Sequence, residues 1–144
     1  MAGRKALLDT DTLSEILRAR NSTVVAQAAA YKVAHGQLTI SVITIMEIVK
    51  GMHKIGRTAA LNRFLEGIQS SEILSFDQPS AEIAGRIYAD LESTGQPIGR
   101  ADVMIAAIAL QHDLTLVTGN TRHYQYIQKV GYSLVIANWR EEPR

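Results

Sequence analysis

The apolar positions of this chain fall into two kinds of segment. Short runs at Lys5–Leu8, Leu38–Val42, Glu72–Phe76, Leu114–Thr118 and Ser133–Ile136 have strand length and are rich in Leu, Ile and Val. They are continuous rather than alternating, as in strands covered on both faces. Between them lie longer stretches with helical spacing: Thr12–Ala19, Ser22–His35, Thr44–Ile55, Thr58–Gln69, Ser80–Ser93, Arg100–His112 and Arg122–Val130. Thr12-x-x-Glu15 and Thr44-x-x-Glu47 have the form of capping boxes, and Asp11 and Thr12 are the expected N-cap residues of the first helix. Gly36 and Gly56 stand where the second and third helices should stop. Val103–Leu110 is apolar on every side, which predicts a central, buried helix. Strands alternating with helices predict a single domain over 1–144 of the α/β class. The expected architecture is a three-layer α/β/α sandwich with a mainly parallel central sheet. Two helical stretches between most strand pairs are more than a simple βα alternation supplies.

Composition narrows the chemistry. A chain of 144 residues with 47% apolar and 20% charged residues can build one real core. A net charge of +1 gives no global attraction to a polyanion, so any nucleic-acid binding must come from a local patch. The chain has no cysteine, which excludes disulfides, thiol catalysis and cysteine zinc sites. "MAGRKALLDTD" reaches an acid after three apolar residues, unlike a signal peptide or a membrane span, and the expected location is cytoplasmic with no membrane partner.

In open parallel sheets ligands bind at the carboxyl ends of the strands. Asp9 directly follows the first strand, Glu47 lies in the expected first turn after the second, and Asn120 follows the fourth in "LTLVTGN". Asp102 stands in the first turn of the buried helix, in "IGRADVMIAAIAL", where a helix N-terminus favours an anion. Each has a purely structural reading: Glu47 as capping-box partner of Thr44, Asp102 as an ordinary first-turn acid, Asn120 as a turn residue. Asp9 is harder to dismiss, because a carboxylate ending a buried strand is costly without a partner. Three carboxylates at one sheet edge repel unless a cation lies among them, and no Lys or Arg stands at the predicted strand ends to neutralise them. Hard oxygen donors without cysteine favour Mg²⁺ or Mn²⁺, an ion suited to phosphodiester hydrolysis.

The stretches "LLDTDTLSEIL", "ISVITIMEIVKGM", "GQPIGRADVMIAAIAL" and "LTLVTGNTRHYQYI" resemble the four successive motifs of PIN domains. Within that family they are most similar to the VapC-type toxins of toxin–antitoxin modules. The resemblance covers nearly the whole chain. It implies an Mg²⁺-dependent endoribonuclease, homodimeric, held inactive by a cognate VapB-like antitoxin and meeting DNA only indirectly through that antitoxin. It places the metal-binding carboxylates on Asp9, Asp102 and Glu47, and a fourth catalytic position on Asn120. The amide there departs from a full four-carboxylate site, and Asp11 replaces the more usual Asn.

The implied mechanism has Asp9 and Asp102 as metal ligands. Glu47 acts through water or helps deprotonate the attacking water, and Asn120 orients a water or a phosphate oxygen. Thr10 and Thr118 support this arrangement. In-line attack then leaves a 5′-phosphate and a 3′-hydroxyl on the RNA, implied to be tRNA or another structured RNA. Arg100, Thr118 and Arg122 are candidate substrate contacts. His123, Tyr124 and Tyr126, and Lys50, His53, Lys54 and Arg57, offer further charge and stacking surface for RNA. The four histidines show no metal-ligand spacing and have no expected catalytic role. Apolar faces on Ala19–His35 and Arg57–Gln69 could form a groove for a partner helix.

Three rivals compete. "DTDT" also matches the opening of haloacid-dehalogenase-type phosphatases, but the acids after Asn120 are only Glu141 and Glu142 in the terminal "WREEPR", and Glu47 and Asp102 are left idle. A phospho-receiver module would use Asp77 as acceptor and Thr118 as switch, yet "YSLVIANW" lacks the lysine it needs. A degenerate PIN fold acting only as a protein-binding module would not require the retained carboxylates.

Overall fold

The computed structural model describes residues 4–96 and 98–141. In chain order its elements are β1 (Ala6–Leu8), α1 (Thr10–Arg18), α2 (Ser22–His35), β2 (Thr39–Ser41), α3 (Val42–Lys54) and α4 (Thr58–Gly67), which runs into a 3₁₀ turn at Ile68–Ser70. There follow β3 (Glu72–Leu74), α5 (Gln78–Thr94), α6 (Arg100–Gln111), β4 (Thr115–Val117), α7 (Thr121–Lys129) and β5 (Ile136–Ala137). Every strand pair is parallel: β1 with β4, β4 with β5, and β2 with β3.

Successive residues of the strands supply opposite cores, as the two-residue period of a strand requires. Leu7 and Leu116 pack into one cluster with Ile87, Ile105, Ile108, Tyr124 and Ile127 of α5, α6 and α7. Ala6, Leu8, Ile40 and Val117 pack into the other with Leu13, Val24, Ile48 and Phe64 of α1, α2, α3 and α4. Helices therefore cover both faces of the sheet, which is the expected three-layer α/β/α sandwich. Val103 and the run Ile105–Ala109 are fully buried, so α6 is the central helix that its unbroken apolar sequence predicts. No described helix is long and apolar enough to cross a membrane.

β1 and β2 lie side by side in separate ladders. A side chain joins them. The buried hydroxyl of Tyr31, on α2, accepts the Ala6 N–H (3.1 Å), donates to the Ala6 carbonyl (3.2 Å) and meets the Thr39 hydroxyl (3.1 Å). Tyr31→Phe should therefore cost about 1–3 kcal/mol by orphaning buried backbone groups, read as a lower denaturant midpoint with an unchanged m-value.

Three local expectations are corrected. α1 starts at Thr10, and its N-cap is Asp9 rather than Asp11 or Thr12: the Asp9 carboxylate accepts the Thr10 N–H at 2.8 Å and its carbonyl accepts the Leu13 N–H. α3 starts at Val42, capped by Ser41, whose hydroxyl accepts the Thr44 N–H at 3.2 Å. Glu47 thus sits beyond the first turn and is no capping-box partner. Finally, β5 begins at Ile136 rather than Ser133. The Leu134 carbonyl accepts from the Gln128 side chain, and the ladder with β4 pairs Leu116 with Ile136 and Val117 with Ala137.

Candidate metal centre at the sheet edge

Asp9 leaves the end of β1 buried, 4% exposed. One carboxylate oxygen caps α1 and the other accepts the Thr118 hydroxyl at 2.9 Å. Burial pushes its pKa up from 3.8 to about 7; the Asp11 charge and, less strongly, Asp102 act in the same direction, while the bonds from Thr118 and Thr10 oppose them. Each carboxylate oxygen has a donor, yet burial still disfavours the charged form, a cost that a proton or a cation would relieve.

Asp102 stands in the first turn of α6, partly buried. It accepts the Tyr124 hydroxyl at 3.3 Å and lies 3.3 Å from His123 Nδ1. His123 in turn meets the Asn120 amide at 2.9 Å. Tyr124 is fully buried. Its phenol is held far above the ordinary range, by burial first and then by the charges of Asp9 and Asp102. Its hydroxyl is thus the shared neighbour of the two acids. This corrects the expectation that Tyr124 offers a face for base stacking. Its inward role was readable from Ile127, three residues on, since the pair shares one helix face. His123, expected only as RNA-binding surface and given no catalytic role from the sequence, adjoins Asp102 because it precedes that inward tyrosine on the first turns of α7.

Glu47 occupies the opposite flank. Its carboxylate accepts the Thr10 hydroxyl at 2.5 Å, and that hydroxyl also meets Thr44 at 3.0 Å. Thr10 and Thr118 thus both hold acids, on either side of Asp9. Asp11 accepts the Gly119 N–H at 3.0 Å and lies within reach of Thr118. One basic side chain does stand at a strand end, contrary to expectation: Arg140, just beyond β5, pairs with Glu15 at 3.1 Å and lies against Gly119. Arg100 and Arg122 are exposed on the first turns of α6 and α7, open to solvent rather than turned into the acids.

Among the described residues no three His, Cys, Asp or Glu side chains converge tightly enough to form an all-protein metal cage. The donor set nevertheless fits Mg²⁺, which keeps several waters and takes one or two carboxylates plus substrate phosphates. Asp9 and Asp102 are the two carboxylates that would hold such an ion, and a cation there would relieve the cost of burying the Asp9 charge.

A PIN domain family model matches residues 6–129, a span containing all four expected site residues. The chain belongs to the PIN-domain family. Within it the chain is of the VapC type. It is 30% identical over 124 residues to the tRNA(fMet)-specific endonuclease VapC of Shigella flexneri, covering 85% of this chain and 92% of that one. It is 34% identical over 123 residues to Toxin FitB of Neisseria gonorrhoeae, covering 80% and 87%. The DNA-bound VapBC structure from Salmonella typhimurium superposes with a TM-score of 0.80 at 28% identity, covering 95% of this chain and 99% of that one.

This PIN domain also carries a groove of about 750 Å³ that opens beside Thr10 and Glu47. Its apolar lining comes mainly from α1, α3 and α4, including Leu17, Met52, Ile55 and Phe64, with Arg18, Arg20, Arg57 and Arg63 around it. α2 adds only Lys32 to the lining, because its Val24, Ala28 and Tyr31 are spent in the core. The expected groove between α2 and α4 is thereby corrected.

Proposed function

We propose that the chain is a metal-dependent endoribonuclease, the toxin of a toxin–antitoxin pair, acting on tRNA or another structured RNA. The observation that carries this reading is the placing of two acids at the carboxyl edge of a parallel sheet: Asp9, buried at the end of β1 and held by Thr118, and Asp102, held by the buried Tyr124 hydroxyl. Membership of the VapC branch supports the reaction class, and the relatives' names support the substrate class and the partner.

Asp9 and Asp102 would hold Mg²⁺ or Mn²⁺, with Glu47 joining through water. When bound, such an ion lowers the pKa of water and offsets charge on the phosphate. The chain's own residues do the rest. Thr118 and Thr10 fix the orientation of Asp9 and Glu47, and Tyr124 keeps Asp102 in place. The Asn120 amide orients a water or phosphate oxygen, and Arg100 and Arg122 meet the RNA backbone. A homodimer is proposed, with a VapB-like antitoxin helix in the groove beside Glu47; basic rims there suit an acidic amphipathic partner. DNA would be met only through that antitoxin.

The purified chain should cut RNA, lose cleavage in EDTA and regain it with Mg²⁺ or Mn²⁺, while leaving p-nitrophenyl phosphate intact. Failure to cut any tRNA or messenger RNA under those conditions, with the protein folded, would leave only the protein-binding reading.

A further inference from the structure

The Arg140 guanidinium occupies the space that a side chain at position 119 would fill. A Cβ on Gly119 would stand 1.9 Å from its Nη1 and 2.5 Å from its Cζ. Gly119 is joined to the acidic edge on both sides. Its N–H donates to Asp11, and its neighbour Thr118 donates to Asp9. Arg140 therefore reaches back from beyond β5 to the rim of the acidic site. Glu15 on α1 holds its Nη2 at 3.1 Å, and the side chain is 39% exposed. A guanidinium has five donors in a planar fork, so one ion pair leaves most of that fork available. The rim otherwise presents Asp11 and Glu15, both repelling a phosphodiester.

We propose that Arg140 is a substrate-positioning residue that binds an RNA phosphate beside the cleaved one. Glu15 holds its guanidinium in place, and the bare backbone of Gly119 gives it room. The inference rests on the ribonuclease reading above. It makes Gly119 a steric requirement of substrate binding: a charge-assisted, two-pronged contact needs the fork flat against the rim.

The test uses the full chain and a fluorescein-labelled single-stranded RNA, measuring binding by anisotropy in EDTA and cleavage in Mg²⁺. Arg140→Ala should bind the RNA roughly tenfold more weakly and flatten the salt dependence of binding by about one phosphate contact. KM should rise in proportion while kcat stays within about twofold of wild type. Arg140→Lys should recover part of the affinity. Gly119→Ala should weaken binding as Arg140→Ala does, because the new methyl displaces the guanidinium; Gly119 has no left-handed backbone angle, so alanine brings no backbone strain, and its methyl also comes within 3.0 Å of the Asp11 carboxylate. Glu15→Gln keeps an oxygen that accepts from the Arg140 guanidinium and removes a charge that repels RNA, so it should hold Arg140 in place and bind RNA within about threefold of wild type. If wild type cuts RNA but Arg140→Ala binds it equally well, the inference fails and the ribonuclease reading stands. If Glu15→Gln loses as much as Arg140→Ala, Arg140 is a clasp for the chain end and the inference also fails. If wild type neither binds nor cuts RNA, both readings fall.

Discussion

Asp9→Asn is expected to make the metal-free protein more stable and at the same time reduce RNA cleavage by about a thousandfold or more. Both effects come from one carboxylate. Asp9 is buried, faces Asp11 and Asp102, and has its pKa pushed up to about 7, so in its ionised form it works against the fold. An asparagine keeps the shape and the cap. Its oxygen still accepts the Thr10 N–H, and the Thr118 hydroxyl can turn to accept from the new amide. What disappears is the charge. At pH 8 the gain should be about 2 kcal/mol, several degrees in Tm, after allowance for burying an amide. Cleavage falls because the residue best placed to hold the ion no longer binds a hard cation. A variant that lost both stability and activity would indicate a merely structural Asp9.

The metal-free wild type should lose stability as pH rises from about 4 to about 7. The sign follows from linkage. Between the ordinary value of 3.8 and the folded value of about 7, the folded state holds a proton that the unfolded chain has released. Raising pH through that window therefore favours unfolding. Below it both states are protonated and there is no cost; above it the full cost applies, about 4 kcal/mol for a shift of that size. Glu72 and Asp77, both held below their ordinary values by hydrogen bonds, act oppositely but only at the acid end. Comparison with Asp9→Asn isolates the Asp9 part: denaturant midpoints in EDTA should decline across this window in wild type and stay nearly level in the variant. Mg²⁺ should restore the lost stability, more at pH 8 than at pH 5. A wild-type profile parallel to that of the variant would contradict this.

How far these features were legible in the sequence depended on how local their causes are. α2 runs over Ser22–His35 as its pattern predicts, because Asn21 caps one end and Gly36, in a left-handed conformation, closes the other. Asp9, Asp102 and Asn120 could be placed at the sheet edge from the sequence because strand ends and helix starts are local signals, and Glu47 lies near them although α3 starts earlier than its pattern suggested. The start of α1 was misread because Asp9 serves at once as strand end, helix cap and site acid, leaving no separate residue to mark the boundary. Asp11 was unassignable for a different reason. Its partner Gly119 is 108 positions away, and Arg140 reaches that glycine from the end of the chain. The same distance hid Arg140 from a search for cations near strand ends, since its backbone lies beyond β5 and only its side chain returns. The Tyr31 bridge between β1 and β2 likewise joins three elements that no periodicity relates.

The central claim is that Asp9 and Asp102 together hold a divalent cation. It is tested most directly by calorimetric titration of Mg²⁺ into the RNA-free protein near pH 7, in buffers of different ionisation enthalpy. The account predicts saturable binding by wild type with proton release, because Asp9 is partly protonated there, and no saturable binding by Asp9→Asn or Asp102→Asn. Saturable binding that releases no proton, or that survives unchanged in either variant, would contradict it.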